Sequence, residues 1–356
     1  MMNQSEIINA LKNNFKIPEI QNRNYWLIRT ETGKYYNDFA INDYVAIDWN
    51  YISIDIAKTE KIKTIRKLIE KHEEQIDKQQ TTIILNKVNR FVNVIKENDI
   101  IIIPSENSES ISIGICLQNE AYEDKNYIEN YKKDNDTSID LCPFYKRRKV
   151  KWLKNIKKAN ADIYLLQMLY SHHAIFNVNE YAPFINRCVY PAYIMNNELH
   201  YTFKAGNERG LSLKEWTSLF DFFNTSFEDY SDKFDIELDP DDIQIKANIH
   251  SPGYVEIIAI AGLSMLALGF LIFAINHFVC GGKTKILLKI DPENKHLDFS
   301  VNAESPGLLG RKLQFKSLEL SQKQIDQVKI LEEKVGIEMP PISGISPKST
   351  NDKIGQ

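Results

Sequence analysis

Residues 25–49 read YWLIRTETGKYYNDFAINDYVAIDW, and they decide the fold of the first half of the chain. Two runs of aromatic and aliphatic residues, Tyr25–Thr30 and Tyr44–Asp48, have the composition of buried β-strands. Gly33 and the pair Asn37-Asp38, which are typical turn residues, lie between them. The pattern predicts two strands of one small domain.

Working outward, the same pattern predicts three further strands, at Asp99–Pro104, Ser110–Leu117 and Lys146–Trp152. An amphipathic helix is predicted over residues 57–79 and a second helix over Lys87–Lys96. These elements alternate closely enough along the chain to belong to one domain that mixes strands and helices.

The composition narrows the class of protein. The chain has 356 residues, 43% hydrophobic and 26% charged, which is typical of globular domains. Its net charge of -4 means that nucleic-acid binding requires a local basic patch. The four cysteines, Cys116, Cys142, Cys188 and Cys280, contain no CxxC pair, which argues against a disulfide scaffold or a zinc knuckle. No apolar secretory signal opens the chain, so we expect a cytoplasmic location.

The familiar sequence signatures of catalysis are missing. The chain has no GxxxxGK[ST] loop, no GxSxG elbow and no HExxH motif, and no GxGxxG follows a predicted strand. We therefore predict no catalytic residues, no metal site and no cofactor, and we expect a binding protein rather than an enzyme.

Aromatic residues are the first binding signal, with eight between positions 25 and 51. Aromatic rings stack on unpaired or flipped bases. Trp26, Phe39 and Tyr44 are expected to fill the core. Four aromatic residues border predicted turns and are candidates for a ligand pocket: Tyr35, Tyr36, Trp49 and Tyr51.

The second binding signal is the run KRRKVKWLKNIKK at residues 146–158, which contains eight basic residues and no acid. In a strand, Arg147, Lys149 and Lys151 share one face and form a cationic row that can contact phosphates. The alternative is a solvated basic edge that deters aggregation.

Together these residues resemble a PUA-like, EVE-like domain, as found at the N-terminus of Mrr-type restriction proteins and related prokaryotic defence proteins. The resemblance covers residues 22–160 and includes the opening Tyr-Trp strand, Asp38-Phe39, Trp49 and the Arg-Lys-Val-Lys-Trp strand. It implies a small β-barrel that recognises a modified base, nucleic acid or nucleotide in an aromatic pocket formed by Trp49, Tyr35 and Tyr36. Asp48 departs from the glycine that is common before this tryptophan. No PD-(D/E)xK nuclease pattern follows.

The remaining chain completes an α+β organisation. The expected segments are a helix and linker (1–21), the PUA-like barrel (22–160), a middle α/β domain (161–226), an acidic linker (227–242), a small β module with an apolar helix (243–337) and a disordered tail (338–356).

The apolar helix, Ile257–Ile275, has no charge over nineteen residues. That length spans about 28 Å, close to the hydrocarbon core of a bilayer. One interpretation is a transmembrane helix with inner-membrane association, conditional on activation. The other is a buried or oligomer-buried helix. Packing against a membrane or a second copy is assigned to Ala261, Ser264, Leu268 and Gly269.

Two functions follow from these expectations. The first is a non-enzymatic sensor-effector of antiviral defence that binds nucleic acid or a nucleotide and acts on the membrane as a homo-oligomer. The alternative is a substrate-targeting subunit of a modification-dependent restriction system, in which the apolar helix is a protein interface.

Overall fold

The computed structural model divides the chain into two compact units. One unit is Asn22–Val189, and the other joins Met1–Gln21 to the chain from Tyr190 onward. The structure describes residues 3–73, 75–134, 139–170, 174–205, 211–234, 237–247, 253–260, 262–279, 285–290, 297–302 and 316–318.

Helix α1 (Gln4–Asn14) precedes the 22–189 unit in the chain. The helices of the 22–189 unit itself are α2 (Tyr36–Ile41), α3 (Ile54–Thr59), α4 (Ile62–His72), α5 (Lys78–Asn89), α6 (Tyr127–Asp134), α7 (Ile163–Gln167) and α8 (Ala182–Val189). A capping box between Asp77 and Gln80 starts α5, and a π-helical turn, Arg90–Val94, continues it. The helix expected at Lys87–Lys96 therefore begins nine residues earlier, at Lys78, than the sequence pattern indicates.

The strands of the 22–189 unit form one seven-stranded sheet in the order β2-β6-β4-β3-β1-β7, with β5 paired to β6. Their bounds are β1 (Tyr25–Ile28), β2 (Tyr44–Ile47), β3 (Ile100–Pro104), β4 (Ser110–Cys116), β5 (Tyr122–Glu123), β6 (Lys146–Lys157) and β7 (Ile175–Asn177). The five strands predicted in this region are present. β1 runs parallel to β3, and the other pairs are antiparallel.

The closed barrel expected for this unit is wrong, because the sheet is a half-barrel. Within the described residues, the end strands β2 and β7 do not pair with each other. Both end strands are short, with four and three residues. The core on its inner side contains Trp26, Phe39 and Tyr44, as predicted, together with residues of α4 and α5.

The other unit contains a four-stranded antiparallel sheet in the order β10-β11-β9-β8. Its elements are α1, β8 (Ala192–Met195), β9 (Glu198–Ala205), α9 (Leu213–Phe234), β10 (Ile243–Ala247), β11 (Gly253–Ala259), α10 (Gly262–Val279) and a second sheet of β12 (Lys285–Ile290), β13 (Leu297–Asn302) and β14 (Lys316–Leu318). Helices α1, α9 and α10 share one hydrophobic core with the four-stranded sheet.

The apolar segment folds differently from the membrane-spanning interpretation. Its first residues, Ile257–Ala259, belong to strand β11, and helix α10 begins only at Gly262. Among the residues that the structure describes, no helix combines the length and apolar character needed to cross a membrane. The transmembrane part of the expected fold is therefore wrong.

The segment boundaries also differ from the expected ones. The N-terminal helix packs with the last third of the chain, and α7 and α8 belong to the 22–189 unit rather than to a separate middle domain. Residues 227–234, expected to be linker, form the last part of α9. The tail at 338–356 lies outside the described residues.

Candidate nucleic-acid interface

The basic strand β6 begins with three cations whose side chains are buried. Lys146 donates from Nζ to the backbone oxygen of Trp49 at 2.7 Å. Burial lowers the pKa of Lys146 to about 8, although the Glu123 and Asp48 carboxylates act in the opposite direction. Lys146 therefore links β6 to the turn after β2, and its side chain is buried.

Arg147 is also enclosed, which corrects its assignment to the cationic row. The guanidinium lies between two aromatic rings, 4.2 Å from the centroid of Tyr44 and 3.6 Å from that of Tyr127. It donates to the backbone oxygens of Cys142 at 2.9 Å and Phe144 at 3.1 Å. The strand alternation is correct, but this end of the face is covered by the chain between β5 and β6.

A buried carboxylate completes this cluster. Asp38 is fully buried and accepts hydrogen bonds from the hydroxyls of Tyr44 and Tyr127 and from the backbone N–H of Cys142 at 2.7 Å. Burial raises the pKa of both tyrosines, so their hydroxyls stay protonated donors. Asp38 thus holds the segment that covers Arg147.

Arg148 points to the opposite side of β6 and ends on backbone oxygens. It donates to Phe91 at 2.6 Å, Val92 at 3.0 Å and Gln118 at 3.1 Å. Two of these carbonyls belong to the π-helical turn after α5. Arg148 therefore joins β6 to that turn.

Four cations of β6 are accessible: Lys149, Lys151, Lys154 and Lys157. We call the first three the lysine row. A β-bulge opposite Ile113 and Gly114 shifts the register, so Lys151 pairs with Ile115 and Lys154 with Ile113. Residues 113 and 115 share a face, and Lys154 therefore joins the face of Lys149 and Lys151. None of the three forms an ion pair within the described residues.

Trp49 is the most exposed of the aromatic pocket residues that the resemblance implies. It is half-buried and has a φ of 65°, a left-handed conformation that is costly for an aromatic residue. The ammonium of Lys87 lies 5.4 Å from the centroid of its ring. The hydrogen bond from the Lys146 ammonium to the backbone oxygen of Trp49 holds this turn from the sheet side.

The other pocket candidates are more enclosed. Tyr35 is 8% exposed and packs edge-on against Phe144 at 5.4 Å. The Tyr36 hydroxyl is bonded to Ser112 Oγ at 2.7 Å and accepts from Asn155 at 2.6 Å. Tyr36 is therefore part of the sheet interior, and Tyr35 borders it.

Tyr51 has two partners at the C-terminal end of α4. Its ring stacks on His72 at 4.4 Å, and its hydroxyl donates to Glu73 at 2.7 Å. Burial raises the pKa of Tyr51, and the Glu73 carboxylate acts in the same direction. These contacts make Tyr51 a structural residue.

Sequence patterns did not single out Lys87 and Arg90, which line an open cleft beside Trp49. The cleft has a volume of about 290 Å³ and lies between α5 and β7, lined by Ile83, Asn86, Lys87, Arg90, Ile175, Phe176 and Asn177. The spacing 83, 86, 87, 90 places the α5 residues on one helix face. The sequence predicts a helix only from Lys87 onward, so Ile83 and Asn86 were not expected to share a helix face with Lys87 and Arg90.

The residues assigned to membrane or oligomer packing lie in the core of their own unit. Ser264 and Leu268 are buried, and a Cβ at Gly269 would lie 2.4 Å from Leu11 of α1. Phe15, just after α1, packs edge-on against Phe270 of α10 at 5.3 Å. Ala261 lies outside the described residues. The apolar surface of helix α10 therefore packs against α1 and the sheet.

The described part of the chain contains no group of three or more His, Cys, Asp or Glu side chains placed to hold a metal ion. The thiols of Cys116, Cys142 and Cys188 are buried, and burial raises the pKa of Cys142 to about 12. Such a thiol is a poor nucleophile at neutral pH. Cys280 lies outside the described residues.

Comparison with known proteins gives one match, to the family model for a domain of unknown function, DUF8426, over residues 24–178. No curated protein and no solved structure matches the chain. The matched residues cover β1 to β7 and thus the half-barrel with its lysine row and Trp49. The resemblance to EVE-like domains stays an expectation.

Proposed function

We propose that the 22–189 unit is a nucleic-acid recognition module and that the chain is a targeting component of a prokaryotic defence system. The observation that carries the first part is the lysine row. The defence setting rests on the resemblance to EVE-like domains alone. Action on a membrane is not part of the proposal, because the described residues provide no helix that crosses one.

The spacing of the lysine row suits a phosphate backbone. Residues two apart on a strand, or separated by the bulge, repeat about every 6.8 Å, which is twice the axial rise per phosphate of one DNA strand. Lys149, Lys151 and Lys154 are exposed, and their ammonium groups lack carboxylate partners among the described residues. They therefore present uncompensated charge to solvent.

Trp49 provides the sequence-tolerant part of the proposed recognition. An aromatic ring that is half-buried has one region anchored in the core and another available to a base. The left-handed backbone at this position is costly for an aromatic residue, and we infer that presenting the ring for base stacking is the function it supports.

The proposal is tested by reversing the charges of the lysine row. The variant K149E/K151E/K154E is expected to lose most affinity for single- and double-stranded oligonucleotides. The slope of log affinity against log salt concentration should fall by roughly 0.9 for each lost contact. Fluorescence anisotropy at several salt concentrations measures both quantities.

The matched control is K61E/K63E/K67E, which makes the same charge change at exposed lysines on or beside α4. It should retain the salt slope of the native protein. An equal loss of affinity in both variants would mean that the lysine row acts only through the net charge of the protein. Unchanged affinity in the row variant would refute the proposed interface.

A further inference from the structure

The cleft between α5 and β7 has a mostly apolar wall that also carries two cations. Lys87 on α5 and Arg90 at the start of the π-helical turn that continues it are both half-buried. Asn86 and Asn177 place amide side chains around the same space, and Phe176 contributes a ring. The cleft thus combines apolar residues with two cationic side chains on one of the elements that form it.

The two cations of the cleft have more N–H donors than they use in hydrogen bonds among the described residues. A guanidinium has five N–H donors, and one of those of Arg90 reaches the backbone oxygen of Ile175 at 3.4 Å. An ammonium has three donors. Within the described residues, no carboxylate forms an ion pair with Lys87 or Arg90.

Burial makes this arrangement selective for an anion. Partial burial lowers the pKa of Lys87, and the Glu31 carboxylate counters that effect only in part. A bound anion would stabilise the charged form of Lys87 and accept hydrogen bonds from both side chains. The site therefore gains more from an anion than an exposed lysine would.

Lys87 also connects the cleft to the proposed base-stacking residue. Its ammonium lies over the ring of Trp49, at 5.4 Å from the centroid, while the same side chain lines the cleft. A base on Trp49 and a phosphate in the cleft would thus be neighbours across one side chain. That adjacency is the geometry of a nucleotide.

We propose that the α5–β7 cleft is a phosphate-binding subsite, in which Lys87 and Arg90 hold the phosphate of a nucleotide whose base stacks on Trp49. This inference rests on the proposed function and specifies its ligand as a phosphorylated nucleotide unit rather than a bare base. The lysine row then contacts other phosphates of the same polymer.

The test compares ligands that differ only in the phosphate. The full chain is titrated with inorganic phosphate, with the four common deoxynucleosides and with their 5′-monophosphates, followed by tryptophan fluorescence and calorimetry. The native protein is expected to bind at least one monophosphate at least 10-fold more tightly than its nucleoside. The variant K87M/R90M should lose this preference.

Two control variants separate binding from folding. K87R/R90K keeps both charges and should keep the preference for the phosphate, whereas K78M removes a lysine from the exposed start of the same helix and should change nothing. Thermal unfolding of each variant shows whether the fold persists. Loss of the preference in K87M/R90M, with its restoration in K87R/R90K, supports the subsite.

The inference and the proposed function fail in different ways. Oligonucleotide binding that depends on the lysine row, with no phosphate preference or with a preference that survives in K87M/R90M, would overturn the subsite alone. Absence of oligonucleotide binding by the native chain would overturn both.

Discussion

Some basic side chains of β6 are buried and stabilise the fold, whereas others are exposed to solvent. Lys146, Arg147 and Arg148 end on backbone oxygens inside the domain, while Lys149 and Lys151 extend into solvent. A buried cation is retained only where acceptors replace its lost hydration. Mutations within this one basic run should therefore have different consequences. Those at Lys146, Arg147 and Arg148 should change stability, and those at Lys149 and Lys151 should change ligand binding.

Replacing Arg147 by Met should destabilise the 22–189 unit by about 3 kcal/mol, because two buried carbonyls lose their donor and two rings lose a cation. Nucleic-acid affinity of the folded fraction should stay within about threefold of native. Urea unfolding and anisotropy measure the two effects. If the Arg147→Met protein is stable but no longer binds nucleic acid, Arg147 contacts the ligand directly.

Lys146 should titrate far below an ordinary lysine, at about pH 8, because burial disfavours its charged form. Between this pKa and the unfolded value near 10.5, the unfolded chain binds a proton that the folded chain has released. The residue's contribution to the free energy of unfolding therefore rises with pH across that window, by about 3 kcal/mol.

NMR of ¹³C,¹⁵N-lysine-labelled protein checks this value directly, since each lysine side chain gives its own titration curve. Lys146→Met identifies the signal and should remove the curve with the low midpoint. A spectrum in which every lysine titrates above about pH 10 would contradict the buried position of this ammonium.

At the scale of elements, the bulge between β4 and β6 determines which lysines face the same way. Gly114 lies at the register shift, and a Cβ there would approach Val150 Cγ1 to 2.5 Å, Trp152 Cε3 to 2.7 Å and the backbone oxygen of Lys151 to 2.9 Å. The absence of a side chain thus allows the two strands to approach at the bulge. Lys154 depends on this local geometry for its place in the lysine row.

Gly114→Ala is expected to destabilise the 22–189 unit by about 1–3 kcal/mol, because neither the backbone oxygen nor the two packed side chains can move away at low cost. Oligonucleotide affinity should also fall, since Lys154 shifts. Ser110→Ala, on the same strand but partly exposed, is the control. A Gly114→Ala protein as stable as this control would exclude the close approach.

At the scale of the whole molecule, each unit has a hydrophobic core of its own. The core of the second unit joins α1 to elements nearly two hundred residues later, and α10 contributes its apolar residues to it. A charge placed in that core should therefore act on one unit first. Hydrogen exchange resolves the two units by sequence position.

Leu268→Arg should remove protection from the amides of β9 and β11, while those of β3 and β4 keep theirs. The reason is that Leu268 is fully buried and an unpaired charge there costs several kcal/mol. Leu213→Arg is the matched control, because Leu213 is 84% exposed at the start of α9. Unchanged protection in Leu268→Arg would place α10 outside the core.

Local patterns predicted the elements of the half-barrel well. The strands around Tyr25, Tyr44, Ile100 and Ser110 follow from runs of β-branched and aromatic residues, whose preference for extended structure is a property of the segment itself. The strand at Lys146 was predicted from its alternating basic residues. Trp26, Phe39 and Tyr44 were placed in the core for the same reason. The candidate site was predicted only in part, since Lys149, Lys151 and Trp49 were named but Lys87, Arg90 and Lys154 were not.

The amino-acid sequence by itself determined where five strands of the half-barrel form, where the basic run lies and which helix is most apolar. Only the tertiary structure decided that Arg147 is enclosed, that a bulge turns Lys154 toward Lys149 and Lys151, and that α10 packs on α1 instead of crossing a membrane. Apolarity and charge are properties of a segment, whereas burial depends on what packs against it. The partners of Arg147 and α10 come from distant parts of the chain, so no local pattern specifies them.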